Sequence, residues 1–258
     1  MNSLERTLIE KAGYDNGWEV VVESVPEHVI LSSALHRAQA KVTKSTLSRW
    51  ELELPTGQLS TELNRETGEA EAYHAANDSE LGALLNRAAK LARSLPNLPE
   101  QRFTKAVAKA LSDTEISKTE IERTVRQRVG QDIFRESLMD YWGGACAVTG
   151  IKIPELLRAS HIKAWTDCAS DAERLNVFNG LLLCAHLDAL FDRYLMTFDT
   201  TGQAIFSPRI DDETFSALGI QLPLKLRWLA PEHEAFLTIH RKQFLENKPQ
   251  GLRLAEGK

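Results

Sequence analysis

The stretch between Cys146 and Asp199 gathers the residues that could do chemistry. Within CAVTGIKIPELLRASHIKAW, His161 stands among small and apolar neighbours. After a polar loop comes FNGLLLCAHLDALFDRYLMTFD, where Asn179 leads an apolar run and Asp188 and Asp192 stand four apart. LDALFDRYL predicts a helix, and that spacing puts both carboxylates on one face, within reach of a single cation. Carboxylate oxygens suit a hard ion such as Mg2+ or Mn2+ better than zinc. An imidazole beside such an ion can activate water, because an ordinary histidine is partly unprotonated at neutral pH. Each residue also has a plainer use. His161 could be a satisfied core histidine, and Asn179 a turn residue before Gly180. Asp188 could cap the helix that starts beside it. Asp192 could pair with Arg193 or Arg158. The order of one His, one Asn and two aspartates a turn apart favours the chemical reading.

These side chains need elements to carry them. CAVTG predicts a short strand ending in a glycine turn, and VFNGLLL a strand led by Asn179. Upstream, residues 3–13 have helical spacing, with Leu4, Leu8 and Ile9 on one face. WEVVVESV, HVILSSA, AQAKVTKS and SRWELELP are β-prone runs, and PTG at 55–57 reads as a turn, so residues 17–73 predict a small, mostly β unit. From Asp78 the pattern turns helical, with Leu81, Leu84, Leu85, Ala88 and Leu91 in register, and it stops at Pro96. QRFTKAVAKAL predicts a second helix. SKTEIERTVRQRVGQDIFRESLMDYW predicts one or two more, opened by a Ser117/Glu120 capping box and with Gly130 as a break point. The boundaries expected are 1–95 for an N-terminal recognition or regulatory domain, 96–142 for a helical connector and 143–258 for the domain carrying the chemistry.

Composition narrows the function classes. The chain has 258 residues, 43% hydrophobic and 26% charged, which excludes wholesale disorder. Lys and Arg number 31 against 36 Asp and Glu, so it does not coat nucleic acid through bulk charge. From residue 100 to 165, eleven bases face nine acids, a net of only +2, so selection of a polyanionic substrate falls to the N-terminal unit or a partner. His36 to Arg49 holds Arg37, Lys41, Lys44 and Arg49 with no acid between them. Such a strand pair could present cations to phosphate, or be an ordinary solvated sheet face. Arg158, Lys163 and Arg193 are candidates for phosphate contact near His161. Three cysteines with no CxxC pair exclude a disulfide framework and a four-cysteine zinc ribbon. Without a signal-peptide core or a run near the roughly 18 apolar residues of a membrane span, the expectation is a soluble, cytoplasmic protein with no membrane partner.

CAVTG, SHIKAW and NGLLLCAHLDALFDRYL together resemble the HNH endonucleases of the ββα-metal type, over about residues 123–245. The lead-in VRQRVGQDIFRESLMDYWGG and the helix LAPEHEAFLTIHRKQF, with its His240–Arg241 pair, are similar to flanks of that branch. The resemblance implies an α+β fold: a ββα-metal nuclease core framed by helices, behind a small β-rich N-terminal domain. It implies a metal-dependent DNA endonuclease with one divalent ion, Mg2+ or Mn2+, serving bacterial restriction or antiphage defence. By it, His161 matches the general base and Asn179 the residue that holds the base loop. Asp188 falls where the last histidine of the family's name stands as a metal ligand, and Asp192 matches a second helix ligand. Ser160 occupies a position where many members have a metal-binding Asp or His, and is a poor ligand. His186 is a competitor for metal or DNA contact, but counting from Asn179 favours Asp188. Trp165 packs or flanks DNA. Partners implied are DNA, a second copy for double-strand cutting and a defence-system protein. The departure at Ser160 leaves open a DNA-binding module with a weak or partner-activated nuclease site.

Overall fold

The structure is a computed structural model that describes every residue except 47, 69–71, 113–118 and 248–258. The Ser117/Glu120 capping signal falls outside the described residues. The chain divides into two compact units, one of residues 1–144 and 170–177, the other of 145–169 and 178–258.

The first unit is built on alternating strands. α1 (Ser3–Asp15) opens with a capping box, in which the Asn2 side chain accepts from Glu5 N at 2.8 Å and Glu5 accepts from Asn2 N at 2.8 Å. β1 (Val20–Ser24), β2 (His28–Ser32), β3 (Gln39–Lys44), β4 (Trp50–Glu53) and β5 (Tyr73–Ala75) form one antiparallel sheet in sequence order. The register aligns Val29 with Val42, Val42 with Leu52 and Leu52 with Tyr73, so one buried apolar row crosses four strands. Lys41 and Glu53 pair on the other face. Between β4 and β5 the chain forms α2 (Gln58–Thr67), an element the sequence reading did not anticipate. α3 (Asp78–Ser94) packs against β4, β5 and α1. Trp18 donates its indole N–H to Leu85 O at 2.8 Å, and Trp50 donates to Asp78 Oδ1 at 2.7 Å. Both rings therefore bury their carbon without stranding their polar atom.

α4 (Leu98–Ser112), α5 (Thr119–Tyr141) and α6 (Asp171–Arg174) belong to this unit too. α5 runs unbroken through Gly130, which is buried where the helix packs on α3 and α4. A mid-helix glycine costs about 1 kcal/mol relative to alanine, and packing on two neighbours outweighs that. Arg126 of α5 pairs with Asp171 at 2.6 Å.

The second unit starts with a correction. CAVTG forms a turn rather than a strand. Cys146 N donates to Ile151 O at 2.9 Å, Gly150 N donates back to Cys146 O at 3.0 Å, and Gly150 has φ +72°. The glycine turns the chain back on itself, and the remaining main-chain bonds are single ones to two different segments, Ala147 N to Leu182 O at 2.6 Å and Arg227 N to Ala147 O at 2.8 Å, rather than a ladder with one partner strand. β6 (Leu157–His161) pairs antiparallel with β7 (Gly180–Cys184), and α7 (Ala185–Asp192) follows directly. β8 (Met196–Phe198) and β9 (Ala204–Phe206) make a short hairpin; α8 (Asp212–Ala217) and α9 (Glu234–Glu246) complete the unit. β7 is buried at all five positions, because α7 follows it and β6 flanks it. That explains an apolar run with no alternation.

Candidate active site

His161 is the last residue of β6, and its partner in register is Gly180. The imidazole is half-buried rather than sealed in the core. Its ring meets Trp165 edge-on, with centroids 5.4 Å apart and planes at 89°.

Asn179 closes a short 3-10 turn immediately before β7 and is fully buried. Its side chain holds the chain just beyond His161. Oδ1 accepts from Lys163 N at 2.8 Å, while Nδ2 donates to Lys163 O at 3.3 Å and to Cys168 Sγ at 3.3 Å. The Asn179 backbone O accepts from Ile162 N at 3.0 Å. One residue thus satisfies the main chain at 162 and 163 directly after the imidazole. Of the side chains that meet here, Cys168 carried no sequence signal.

Asp188 lies in the first turn of α7 and Asp192 is its last residue. At 3.6 residues per turn, four residues return to within about 40° of the same direction. Asp192 has its carboxylate pKa raised to about 6, first by loss of surrounding water and then by the Asp188 charge, against a smaller lowering by Arg193. Asp192 is nevertheless exposed at the surface. Carbonyls at the C-terminal end of a helix add negative potential at the same point. Ser160 is buried and donates its hydroxyl to Asp188 Oδ1. The strand residue before His161 and the helix carboxylate are therefore joined. His186 is half-exposed and two residues from Asp188, about 200° around the helix from it.

The cations differ in situation. Arg158 is exposed, and its guanidinium donates to Glu155 O at 2.9 Å and Leu157 O at 3.0 Å. Lys163 is half-buried in the loop that Asn179 holds, and Arg193 is exposed at the end of α7. Arg37, Lys41 and Lys44 lie in the first unit. Arg37 sits in a turn with φ +54°, whereas Lys41 pairs with Glu53 at 3.1 Å and Lys44 with Glu5 at 2.7 Å. Arg49 pairs with Asp78 at 3.1 Å. The acid-free run in sequence is thus matched in space by carboxylates from elsewhere in the chain.

His240 is placed where sequence spacing gave no hint of a role. It is buried on α9, stacked on Phe191 with centroids 3.9 Å apart, and bonded to Thr197 Oγ1 at 2.9 Å and Phe191 O at 3.1 Å. Phe191 immediately precedes Asp192, so His240 holds the end of the helix that carries both acids.

Residues 146–199 match the family model described as HNH endonuclease. The match spans β6, β7 and α7 and includes His161, Asn179, Asp188 and Asp192. It supports a nuclease, a hydrolase whose substrate is nucleic acid. No curated protein matches the chain. HNH nucleases generally use a divalent metal. Among the described residues no group of three or more His, Cys, Asp or Glu side chains is arranged to hold a metal ion. Asp188 and Asp192 of α7 lie near enough for the Asp188 charge to add to the loss of water in raising the Asp192 pKa. Among the described residues no helix is long and apolar enough to cross a membrane.

Proposed function

We propose that this chain is a divalent-metal-dependent endonuclease that hydrolyses DNA phosphodiesters with His161 as general base. The observation that carries the reading is the Asn179 clamp, a buried amide bonded to the Lys163 main chain at both N–H and C=O, two residues after the imidazole. A histidine held only for packing needs no such anchor on its loop. In this reading His161 takes a proton from water, the resulting hydroxide attacks phosphorus in line, and the bond to the 3′ oxygen breaks. The leaving oxygen takes a proton from solvent, giving a 5′ phosphate and a 3′ hydroxyl. Asp188 and Asp192 would hold one Mg2+ or Mn2+, which when bound neutralises the charge growing on the phosphate. Ser160 orients Asp188 through its hydroxyl instead of adding a ligand. Arg158, Lys163 and Arg193 lie close in sequence to these residues and would contact phosphate. The sheet of the first unit, with Arg37, Lys41 and Lys44, would select or regulate the substrate. The restriction or antiphage setting, a homodimer, a defence-system partner and a cytoplasmic location rest on the family resemblance.

The test is nicking of supercoiled plasmid with Mg2+ or Mn2+, with and without chelator. Nicking lost in His161→Ala and in Asp188→Ala, with both variants folded, supports the assignment. Nicking that survives both substitutions overturns it. A second reading, a DNA-binding module with little cutting, is favoured by Ser160, which stands at a ligand position and engages one oxygen of Asp188. Tight binding with no metal-dependent nicking would establish it.

A further inference from the structure

Two thiols outside the proposed chemistry share one neighbour. Cys146 and Cys184 are both buried, neither is in a disulfide, and both sulfurs lie against Thr149. Thr149 joins them: its hydroxyl lies 3.3 Å from Cys184 Sγ, while its N–H donates to Cys146 Sγ at 3.4 Å. Thr149 and the backbone N–H groups of Val148 and Cys184 favour charge on the Cys146 sulfur. Burial pushes the Cys146 thiol up, but these donors outweigh it and hold Cys146 below the ordinary cysteine value. Cys184 is pushed up, by burial and then by Cys146. The pair therefore sets a more acidic thiol beside a less acidic one, the asymmetry that thiol oxidation uses. Thr149 is exposed, so the sulfurs lie one side chain below the surface. The bond from Ala147 N to Leu182 O, 2.6 Å, already holds the two segments side by side.

We propose that Cys146 and Cys184 form a peroxide-reactive pair that closes to a disulfide, cross-linking the 146–150 turn to the joint between β7 and α7. The Cys146 thiolate attacks one oxygen of a hydroperoxide. The O–O bond breaks, leaving a sulfenic acid on Cys146, and the departing hydroxide or alkoxide takes a proton from solvent and leaves as water or alcohol. Cys184 sulfur then attacks the sulfenic sulfur; the S–S bond forms and the departing hydroxide leaves as water with the Cys184 proton. The peroxide gains two electrons and the two thiols lose them. Cys168, whose sulfur accepts from Asn179 Nδ2 at 3.3 Å, stays a thiol and serves as the internal control.

The experiment uses the full chain with hydrogen peroxide, followed by alkylation in denaturant, intact mass and peptide mapping. The untreated chain should take three alkyl groups and the oxidised chain one, on Cys168, with the Cys146 and Cys184 peptides linked and released by dithiothreitol. In Cys184→Ser the same treatment should leave a sulfenic acid on Cys146 that dimedone traps. Three alkylated cysteines after treatment would overturn the proposal. So would a linkage through Cys168, or an intermolecular one. Neither result depends on nuclease activity or on the folding of the variant.

Discussion

Replacing Asn179 by alanine separates holding a loop from merely filling a core. The side chain is fully buried and makes contacts at 2.8 Å to Lys163 N, 3.3 Å to Lys163 O and 3.3 Å to Cys168 Sγ. Alanine removes all of them. A buried backbone group stripped of its partner costs about 1–3 kcal/mol. The short bond belongs in the middle of that range and the longer ones at its foot, so the loss should be about 2–4 kcal/mol. Against a domain stability of about 5–15 kcal/mol, the variant stays folded at 25 °C. The bond from Ile162 N to Asn179 O, 3.0 Å, is main-chain and survives, so β6 and β7 remain paired. What loosens is the chain from Lys163 onward and, with it, the orientation of the imidazole. A shift of about 1 Å at a reacting group costs about 100-fold. Asn179→Ala should therefore show a lower urea midpoint and a plasmid-nicking kcat down by about 100-fold, with KM for DNA much less affected. Wild-type kcat alongside lost stability would refute the positioning argument. Unchanged stability would refute the burial arithmetic.

Three further outcomes follow from other parts of the molecule. Asp192 titrates near 6 in the fold against about 3.9 when unfolded. Its contribution therefore favours the folded state at low pH and fades as pH rises through 4 to 6; Asp192→Asn should flatten that part of the stability–pH curve, and Mn2+ should bind more weakly below the titration. His240 is pushed down to about 4, chiefly by burial, so it is neutral in the fold. Its share of stability, complete above about pH 6.5, should be lost between there and pH 4, by up to about 3 kcal/mol, and His240→Gln should remove this acid limb from urea titrations. Tyr141 donates to the buried Glu62 at 2.7 Å, so Tyr141→Phe should lower stability by about 1–3 kcal/mol in thermal or urea unfolding.

β2, β3 and β4 were legible because each buries alternate positions, and a period of two is hard to mistake in runs such as HVILS and AQAKVTK, whereas β1 is exposed along its length and was legible only from its β-prone residues. α3 was legible from its apolar spacing and from the proline that ends it. α2 was missed because only Glu62 and Leu63 of QLSTELNRET are buried, too few for an apolar stripe. CAVTG read as a strand because its residues favour one. The positive φ of Gly150 and the sulfur-centred bonds of Cys146 prevail, and neither has a periodicity. At the site, the spacing of Asp188 and Asp192 conveys their shared helical face directly. The bond from Ser160 to Asp188 and the stacking of His240 on Phe191 span 28 and 49 residues. Contacts over such separations leave no local signature. The same limit explains the cation strip, where Lys44 meets Glu5 across 39 residues and its charge is matched by an acid that the local run does not contain.

The route of the chain between His161 and Asn179 has a practical consequence. Both residues belong to the second unit, yet residues 170–177, threaded between them, fold with the first, where Asp171 meets Arg126 at 2.6 Å. A fragment cut out at residue 145 would keep every side chain proposed for hydrolysis but carry an orphaned excursion in its middle, robbed of the arginine it docks against. Anyone trimming this protein to a minimal nuclease should redesign that excursion rather than only shorten the ends.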